Sequence, residues 1–244
     1  MKGAKGRKGA CVDNWAVERI VKEAMSLGRK TLTEPETKEI LRACSIPVPR
    51  FVVVKDVTGA LEAAEEIGYP LVMKIISPDI PHKSDFGGVA VGIKDAVELE
   101  ERWSHMFLSV AMENPMAVIE GFIIEQMAPR GVEVITGVVR DAQFGAVAMF
   151  GMGGVFVELM KDVSFRLSPV DEKEALEMMG EVKGWPLLRG FRGAAPKDVA
   201  AVAGVIARLV RVVEQTDGLK ELEINPLIVY DEGVIAVDAR AFLD

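Results

Sequence analysis

Hydrophobic and polar positions follow helical spacing at the start of the chain. Residues 14–28 place apolar side chains on one helical face and end at Gly28, so they predict an amphipathic helix. A second helix is predicted from Thr33, because Glu36 follows three residues later as in a capping box, and it should end before Pro47. Two helices therefore precede the first predicted strand.

The next part of the chain alternates between short apolar runs and helical patterns, which is typical of an α/β lobe. Strands are predicted at 51–54, 71–76 and 89–93, and helices at 58–67 and 95–110. A loop rich in Pro, Asp and Gly separates the second strand from the third. The pattern predicts one compact lobe for this part.

After Pro115 the pattern changes to short strands in succession, which predict an antiparallel meander. These strands are expected at about 118–127, 131–140, 144–150 and 155–158. Helices are predicted again at 171–180 and 198–214, and the chain closes with a hairpin of 221–230 and 234–239. We therefore expect a flexible basic tail at 1–12, an N-terminal lobe at 13–117 and a C-terminal lobe at 118–244.

Composition narrows the class of protein. The chain has 244 residues, of which 50% are hydrophobic, so it can bury a substantial core. A net charge of −8 disfavours nonspecific binding to nucleic acid or anionic membrane. Neither a membrane-spanning run of about 18 apolar residues nor a signal peptide is visible. Two cysteines, Cys11 and Cys44, fit a reducing compartment, with Cys44 expected in the core. We expect a cytoplasmic protein.

Several common motifs are missing from the sequence. It has no Gly-Lys dipeptide, which excludes a Walker-type phosphate loop, and residues 151–156 fail the dinucleotide fingerprint at the sixth position. The two histidines, His82 and His105, lack HExxH or CxxC partners, which argues against zinc. Any metal is therefore expected to have oxygen ligands.

The C-terminal segment carries candidate ligands for such a metal. In a strand, Glu223 and Asn225 point to one face, while Leu222 and Ile224 point to the other, apolar face. Asp238 in the returning strand can reach the polar face. Carboxylate and amide oxygens suit Mg²⁺, which also keeps waters and nucleotide phosphates. The alternative is a solvated hairpin face without a ligand.

Lys74 and His82 are candidates for phosphate chemistry. Lys74 interrupts an apolar strand, so it either extends to solvent or faces an anion such as phosphate. The loop at 77–88 follows, stiffened by prolines and ending in two glycines, and it carries His82. A neutral imidazole can attack phosphorus and later release the phosphoryl group, whereas simple solvent exposure is the alternative for His82. His105, inside a predicted helix, is expected to be structural.

A possible nucleotide-base site lies where the strand at 118–127 turns back. Glu125 and Met127 can bracket a flat heterocycle there. Glu133, at the start of the next strand, can accept hydrogen bonds from ribose hydroxyls or approach the metal. The alternative is that these are ordinary core or surface positions of a sheet.

Two further segments can bind phosphate. Gly153 and Gly154 permit close backbone approach or positive φ, and their N–H groups can form an anion nest. Arg166 can clamp a phosphate with its guanidinium group. The alternative for Arg166 is a position on a surface strand.

In this order, the segments resemble the ATP-grasp β subunit of the ADP-forming acetyl-CoA synthetases, also called nucleoside-diphosphate-forming acyl-CoA synthetases. The resemblance extends from about Leu32 to Phe242. The segments that carry it are Tyr69–Lys74, Ser77–Asp85, Gly87–Val89, Gly153–Glu158, Lys161–Leu167 and Glu223–Leu227. Together they are more specific than any one motif.

The resemblance implies an α/β protein with the ATP-grasp fold, in which two α+β lobes hold ATP and Mg²⁺ between them. It implies an acid–thiol ligase that converts acyl-CoA, ADP and phosphate to carboxylate, CoA and ATP. This chain would be the nucleotide half, active only with a CoA-binding α subunit, in an α2β2 assembly without nucleic acid or membrane. An acyl phosphate would form on the α subunit, whose own histidine takes the phosphoryl group. His82 would carry that group onward to ADP.

The resemblance also implies ligand roles for individual residues. For the nucleotide it implies phosphate contact by Lys74 and adenine contact by Glu125 and Met127. The implied Mg²⁺ ligands are Glu223, Asn225 and Asp238. Two other functions stay open: a self-sufficient ATP-grasp ligase that joins a carboxylate to an amine, and a non-catalytic nucleotide sensor. The ligase needs no histidine, and the sensor needs no phosphoryl acceptor.

Overall fold

The structure is a computed structural model that describes residues 13–78, 80, 83–154 and 162–244. Two compact units make up this part of the chain. The smaller unit consists of Thr33–Pro35 and Pro49–Pro129, and the larger unit contains Glu36–Val48, Arg130–Asp244 and the residues before Thr33. The α/β composition predicted from the sequence is confirmed.

The smaller unit is built on an antiparallel four-stranded sheet with the order β1-β4-β2-β3. Its strands are β1 (Phe51–Val54), β2 (Leu71–Ile76), β3 (Val89–Ile93) and β4 (Gly121–Gln126). Its helices are α3 (Val57–Ile67) and α4 (Ala96–Glu113), and a 3₁₀ turn covers Lys83–Phe86. The first three strands occur at the predicted residues, because Pro and Gly delimit short apolar runs there.

Helix α3 and strand β2 both contribute to the core of the smaller unit. The carboxylate of Asp56 accepts a hydrogen bond from the backbone N–H of Gly59 (2.8 Å), which starts α3. Leu71 and Met73 on β2 belong to a buried cluster with Ala60 of α3. Since side chains alternate along a strand, the residues between them, such as Val72, point to the opposite sheet face.

The larger unit contains an antiparallel sheet of six strands with the order β10-β8-β5-β6-β7, and β9 pairs with β8. Its strands are β5 (Val132–Asp141), β6 (Gly145–Met152), β7 (Val163–Leu167), β8 (Leu219–Val229), β9 (Val234–Ala236) and β10 (Ala239–Leu243). The helices are α1 (Asn14–Ser26), α2 (Glu34–Ala43), α5 (Glu172–Met179), α6 (Trp185–Leu188) and α7 (Val199–Gln215); the first two residues of α2, Glu34 and Pro35, are counted with the smaller unit. Long α7 contributes Ile206 and Leu209 to a core that also contains Phe150 and Leu222 from the sheet.

The pairing of β4 corrects the meander expected from residue 118 onward. Phe51 of β1 lies opposite Glu125, and Leu71 of β2 lies opposite Gln126, so β4 is a central strand of the first sheet. The meander consists of β5, β6 and β7 instead. The strand expected at 155–158 lies outside the described residues.

The compact units also differ from the lobes expected at 13–117 and 118–244. Because β4 belongs to the smaller unit, the division falls after Pro129. The leading helices pack with the larger unit: Val17 of α1 and Ile40 of α2 are fully buried in its core. The tail expected at 1–12 lies outside the described residues.

Cys44 is fully buried, as predicted, and burial raises the pKa of its thiol to about 12. Cys11 lies outside the described residues. Within the described ranges, no helix is both long and apolar enough to cross a membrane.

Candidate active site

A buried group of charged side chains lies on the face of the four-stranded sheet opposite its helices. The Nζ atom of Lys74 lies 2.8 Å from Oε1 of Glu34 and 2.9 Å from Oε1 of Glu125. These three side chains are only 5%, 2% and 1% exposed. The other oxygen of Glu34 pairs with Lys83. We call Lys74, Glu34, Glu125 and Lys83 the charge cluster.

The charge cluster alternates in sign along the series Lys83, Glu34, Lys74 and Glu125, with two positive and two negative groups. A buried ammonium group needs such partners, because transfer from water is costly when its charge is not compensated. The sequence left open whether Lys74 extends to solvent or faces an anion. The structure gives the second answer, and the anions are two carboxylates of the protein.

Lys83 is held by its backbone as well as by its side chain. Its carbonyl oxygen accepts a hydrogen bond from the N–H of Gly88 (2.7 Å), and the carbonyl of Gly88 accepts one from Ile75 on β2 (3.0 Å). A Cβ atom on Gly88 would lie 2.7 Å from the Ile75 side chain, so the close approach depends on glycine. His82, the neighbour of Lys83 in sequence, lies outside the described residues.

The predicted adenine-binding residues lie at the end of β4. The carboxylate of Glu125 faces Lys74 inside the charge cluster. Met127 is half-buried just beyond the strand, and its N–H donates to the carbonyl of Pro70 (3.2 Å). The Glu125 side chain is therefore engaged within the protein, and adenine contact by Glu125 and Met127 stays a prediction.

Glu133, Gly153 and Gly154 meet at one corner of the six-stranded sheet. The N–H of Gly153 donates to the carbonyl of Glu133 (2.8 Å), and a Cβ atom on Gly153 would lie 2.9 Å from the Glu133 backbone. Gly154 has a φ of +63°, which disfavours other residues. The Glu133 side chain is exposed. The structure thus brings together three of the predicted nucleotide-binding residues.

The predicted Mg²⁺ ligands also converge. Glu223 lies opposite Arg240 of β10, and the N–H of Asn225 donates to the carbonyl of Asp238 (3.0 Å). Leu222 and Ile224 are fully buried in the core, as the alternation predicted. We call Glu223, Asn225 and Asp238 the carboxylate–amide face.

The electrostatics of the carboxylate–amide face favour a cation. Burial raises the pKa of Glu223, and the nearby charges of Glu221 and Asp238 raise it further, against the opposing effects of Arg240 and a hydrogen bond from Asn225. No group of three or more His, Cys, Asp or Glu suited to a metal occurs among the described residues. With two carboxylates and one amide, however, the face has the oxygen donors that Mg²⁺ prefers.

Arg166 forms local ion pairs. Its guanidinium group donates to both carboxylate oxygens of Glu181, one of them at 3.0 Å, and lies 3.8 Å from Glu174. The hydrogen bond with Glu181 raises the pKa of Arg166. Arg166 thus lies on a strand with local carboxylate partners, and its role as a phosphate clamp stays a prediction.

Glu34 and Lys83 were not predicted as site residues. Glu34 is 40 residues from Lys74 in sequence, and the local pattern indicates only a helix start. For Lys83, the only signal in the sequence is its position beside His82. Their contacts are long-range, so no single motif contains them.

Comparison with known proteins identifies the family. The chain matches the ATP-grasp domain family over residues 23–243. It is 44% identical over 232 residues, 95% of this chain and 100% of the relative, to the β subunit of acetate–CoA ligase [ADP-forming] I from Pyrococcus furiosus. The chain belongs to the family of ATP-grasp β subunits of ADP-forming acetate–CoA ligases.

Solved structures agree with this assignment. An acetyl-coenzyme A synthetase 1 from Ca. Korarchaeum cryptofilum, in complex with coenzyme A, Ca-AMPCP and HgCl⁺, matches with a TM-score of 0.90 and 41% identity over 93% of this chain and 99% of that one. A second structure of that enzyme contains coenzyme A and Mg-AMPPCP, and its phosphohistidine segment points towards the nucleotide-binding site; the TM-score is 0.81 with 38% identity over 93% of this chain and 100% of that one. The resemblance, the ATP-grasp fold and the role as the nucleotide-binding subunit of a ligase are confirmed.

Proposed function

We propose that this ligase subunit binds ADP or ATP with Mg²⁺ and that His82 carries a phosphoryl group between the nucleotide and a CoA-binding α subunit. The two subunits would form an α2β2 assembly in the cytoplasm. The observation that carries the proposal is the relative in which a phosphohistidine segment points towards the nucleotide-binding site. That relative aligns with 93% of this chain.

The carboxylate–amide face would hold the Mg²⁺ ion. A backbone hydrogen bond joins Asn225 of β8 to Asp238, which lies between β9 and β10, so the backbones that carry these two side chains are held side by side. When bound, the ion would neutralise phosphate charge and orient the nucleotide. Glu223 supports this role because its charge is disfavoured by burial and a cation would compensate that cost.

We call the meeting point of Glu133, Gly153 and Gly154 the glycine corner. This corner and Lys74 would contact the phosphates. The N–H of Gly154 suits an anion, because a glycine with positive φ lets the backbone approach closely, whereas the N–H of Gly153 already donates to the carbonyl of Glu133. Lys74 adds positive charge, although the two carboxylates of the charge cluster already compensate it. We therefore expect the backbone at the glycine corner to contribute more to phosphate affinity than Lys74.

The chemical step is a transfer of a phosphoryl group to and from the imidazole ring. A ring nitrogen of neutral His82 attacks phosphorus with its lone pair, the new N–P bond forms, and the P–N bond to the histidine of the α subunit breaks, which releases that histidine as free imidazole. In the second half, a terminal phosphate oxygen of ADP attacks, the N–P bond breaks, and ATP and free imidazole result. Such a step depends mainly on positioning and charge compensation.

The chain's two histidines permit a matched test. Wild type, His82→Asn and His105→Asn are incubated with Mg²⁺ and γ-³²P-ATP, with and without the co-purified CoA-binding subunit. We expect acid-labile label on the wild type and on His105→Asn, because His105 is exposed on α4. His82→Asn should bind ADP but take no label.

Two outcomes would contradict the proposal. Retention of acid-labile label in His82→Asn would exclude His82 as the carrier. Full synthetase turnover by the purified chain alone would exclude the division of labour between two subunits and would favour a self-sufficient ligase. Nucleotide binding without any label on the wild type would favour a sensor.

A further inference from the structure

We propose that Glu34 is a positioning residue for phosphoryl transfer. Its two carboxylate oxygens pair with two different lysines, Lys74 on β2 and Lys83 at the end of the loop that carries His82. One side chain therefore connects the sheet to the residue next to the proposed phosphoryl carrier. This inference rests on the function proposed above.

The geometry distinguishes Glu34 from an ordinary surface glutamate. Its side chain is only 2% exposed, whereas the side chain of Lys83 is 16% exposed. A buried carboxylate that pairs with two ammonium groups is held in one orientation, since either pair alone would leave a charge poorly compensated. The position of Glu34 thus constrains both lysines at once.

Charge balance makes Glu34 the central member of the charge cluster. Removal of its charge would leave two ammonium groups and one carboxylate among these four residues, a net charge of +1. Lys74 would keep Glu125 at 2.9 Å, but Lys83 would lose the carboxylate that anchors its side chain. The backbone hydrogen bond from Gly88 to Lys83 would persist, so the local fold should survive while the orientation of the loop end changes.

Replacement of Glu34 should therefore affect the rate of phosphoryl transfer without weakening nucleotide binding. Glu34→Gln keeps the shape of the side chain and leaves Lys74 with fewer competing carboxylates, so nucleotide affinity should be unchanged or higher. The rate of label transfer to His82 should fall by about 10- to 100-fold, because a misplacement of about 1 Å can cost about that much. A purely structural defect would instead lower affinity and transfer together.

Glu36 offers a matched control on the same helix. It forms a two-point ion pair with Arg29 (2.7 and 2.8 Å), so Glu36→Gln also removes one paired carboxylate from α2. Glu34→Gln and Glu36→Gln are compared for the ADP dissociation constant, the thermal midpoint and the rate of ³²P transfer from γ-³²P-ATP in the complex with the CoA-binding subunit. Only Glu34→Gln should slow transfer without weakening binding.

Lys83 provides a second, independent set of variants. Lys83→Met should slow transfer like Glu34→Gln, and Lys83→Arg should restore much of the rate because it keeps the charge. In the double variant that combines Glu34→Gln with Lys83→Met, the two losses of transfer rate should not add, as expected for residues that act through one contact. The two single variants of Lys83 keep the proposal testable even if Glu34→Gln folds poorly, because they leave the Lys74–Glu34 pair intact.

The outcomes separate this inference from the proposed function. If wild type takes no label at His82, the proposed function fails. If wild type takes label and Glu34→Gln transfers at the wild-type rate, only the positioning role of Glu34 is excluded. The positioning role would also be excluded if Glu34→Gln and Glu36→Gln lost the same transfer rate. Additive losses of transfer rate in the double variant of Glu34→Gln and Lys83→Met would exclude it as well.

Discussion

The charge cluster of the smaller unit and the carboxylate–amide face of the larger unit use charged residues in opposite ways. In the cluster, Lys74 lies within 2.9 Å of two carboxylates, and the signs alternate to a net charge of zero. On the carboxylate–amide face, two acidic side chains lie near each other, and burial raises the pKa of Glu223. In the first arrangement the charges of the protein compensate one another, whereas the second gains from an added cation.

This difference has a physical basis. A buried ion pair adds little to the stability of the folded protein, because its attraction only offsets the cost of removing both charges from water. Removing one partner, however, leaves an uncompensated charge in a region of low dielectric constant. A carboxylate with a raised pKa already bears such a cost in the folded protein. Charge removal should therefore destabilise the cluster and should not destabilise the carboxylate–amide face. Substitutions at Lys74 and Glu223 test this contrast directly.

The largest effect is expected for Lys74→Met. It leaves Glu34 and Glu125 buried without their shared cation, and the free energy of unfolding should fall by about 3–5 kcal/mol. Urea denaturation of the purified chain measures the change. Lys173→Met is the control, since the Lys173–Glu177 pair is exposed and its loss should cost less than about 1 kcal/mol. Similar stability losses for the two variants would show that the cluster is not tightly compensated.

Glu223→Gln should change stability in the opposite direction. The raised pKa means that the folded state disfavours the charged carboxylate, so a neutral amide should leave the unfolding free energy unchanged or slightly higher at pH 7. The same substitution removes a proposed Mg²⁺ ligand and should weaken Mg²⁺-dependent ADP binding by about 10- to 100-fold. Urea denaturation without metal and calorimetric titration of ADP with and without Mg²⁺ measure the two effects.

Glu221→Gln is the matched control on the same strand, because Glu221 raises the Glu223 pKa but is not a proposed ligand. It should leave Mg²⁺-dependent binding near the wild-type value. A loss of metal-free stability in Glu223→Gln, or equal loss of Mg²⁺ dependence in both variants, would contradict the contrast between the two regions.

The two regions also differ in how far the sequence predicts them. The carboxylate–amide face depends on alternation within one strand, with Leu222 and Ile224 inward and Glu223 outward, which a period of two makes visible. The charge cluster depends on Glu34, which lies 40 residues before Lys74, and on β4 inserting between β1 and β2. Local patterns predict the strands but not their partners, because pairing depends on distant parts of the chain.

The smallest effect should come from the backbone at the glycine corner, where Gly154 and Gly145 form a matched pair. Both have positive φ, +63° and +77°, so alanine at either position should cost roughly 1–2 kcal/mol of stability. A Cβ atom at Gly145 would meet nothing within 4 Å. One at Gly154 would lie 3.8 Å from the Glu133 carboxylate, which is an ordinary van der Waals distance, so neither substitution causes a steric clash. If the N–H of Gly154 binds phosphate, Gly154→Ala should weaken ADP binding several-fold more than Gly145→Ala does. Equal ADP affinities in the two variants would remove the glycine corner from the site and leave phosphate binding to charged side chains such as Lys74.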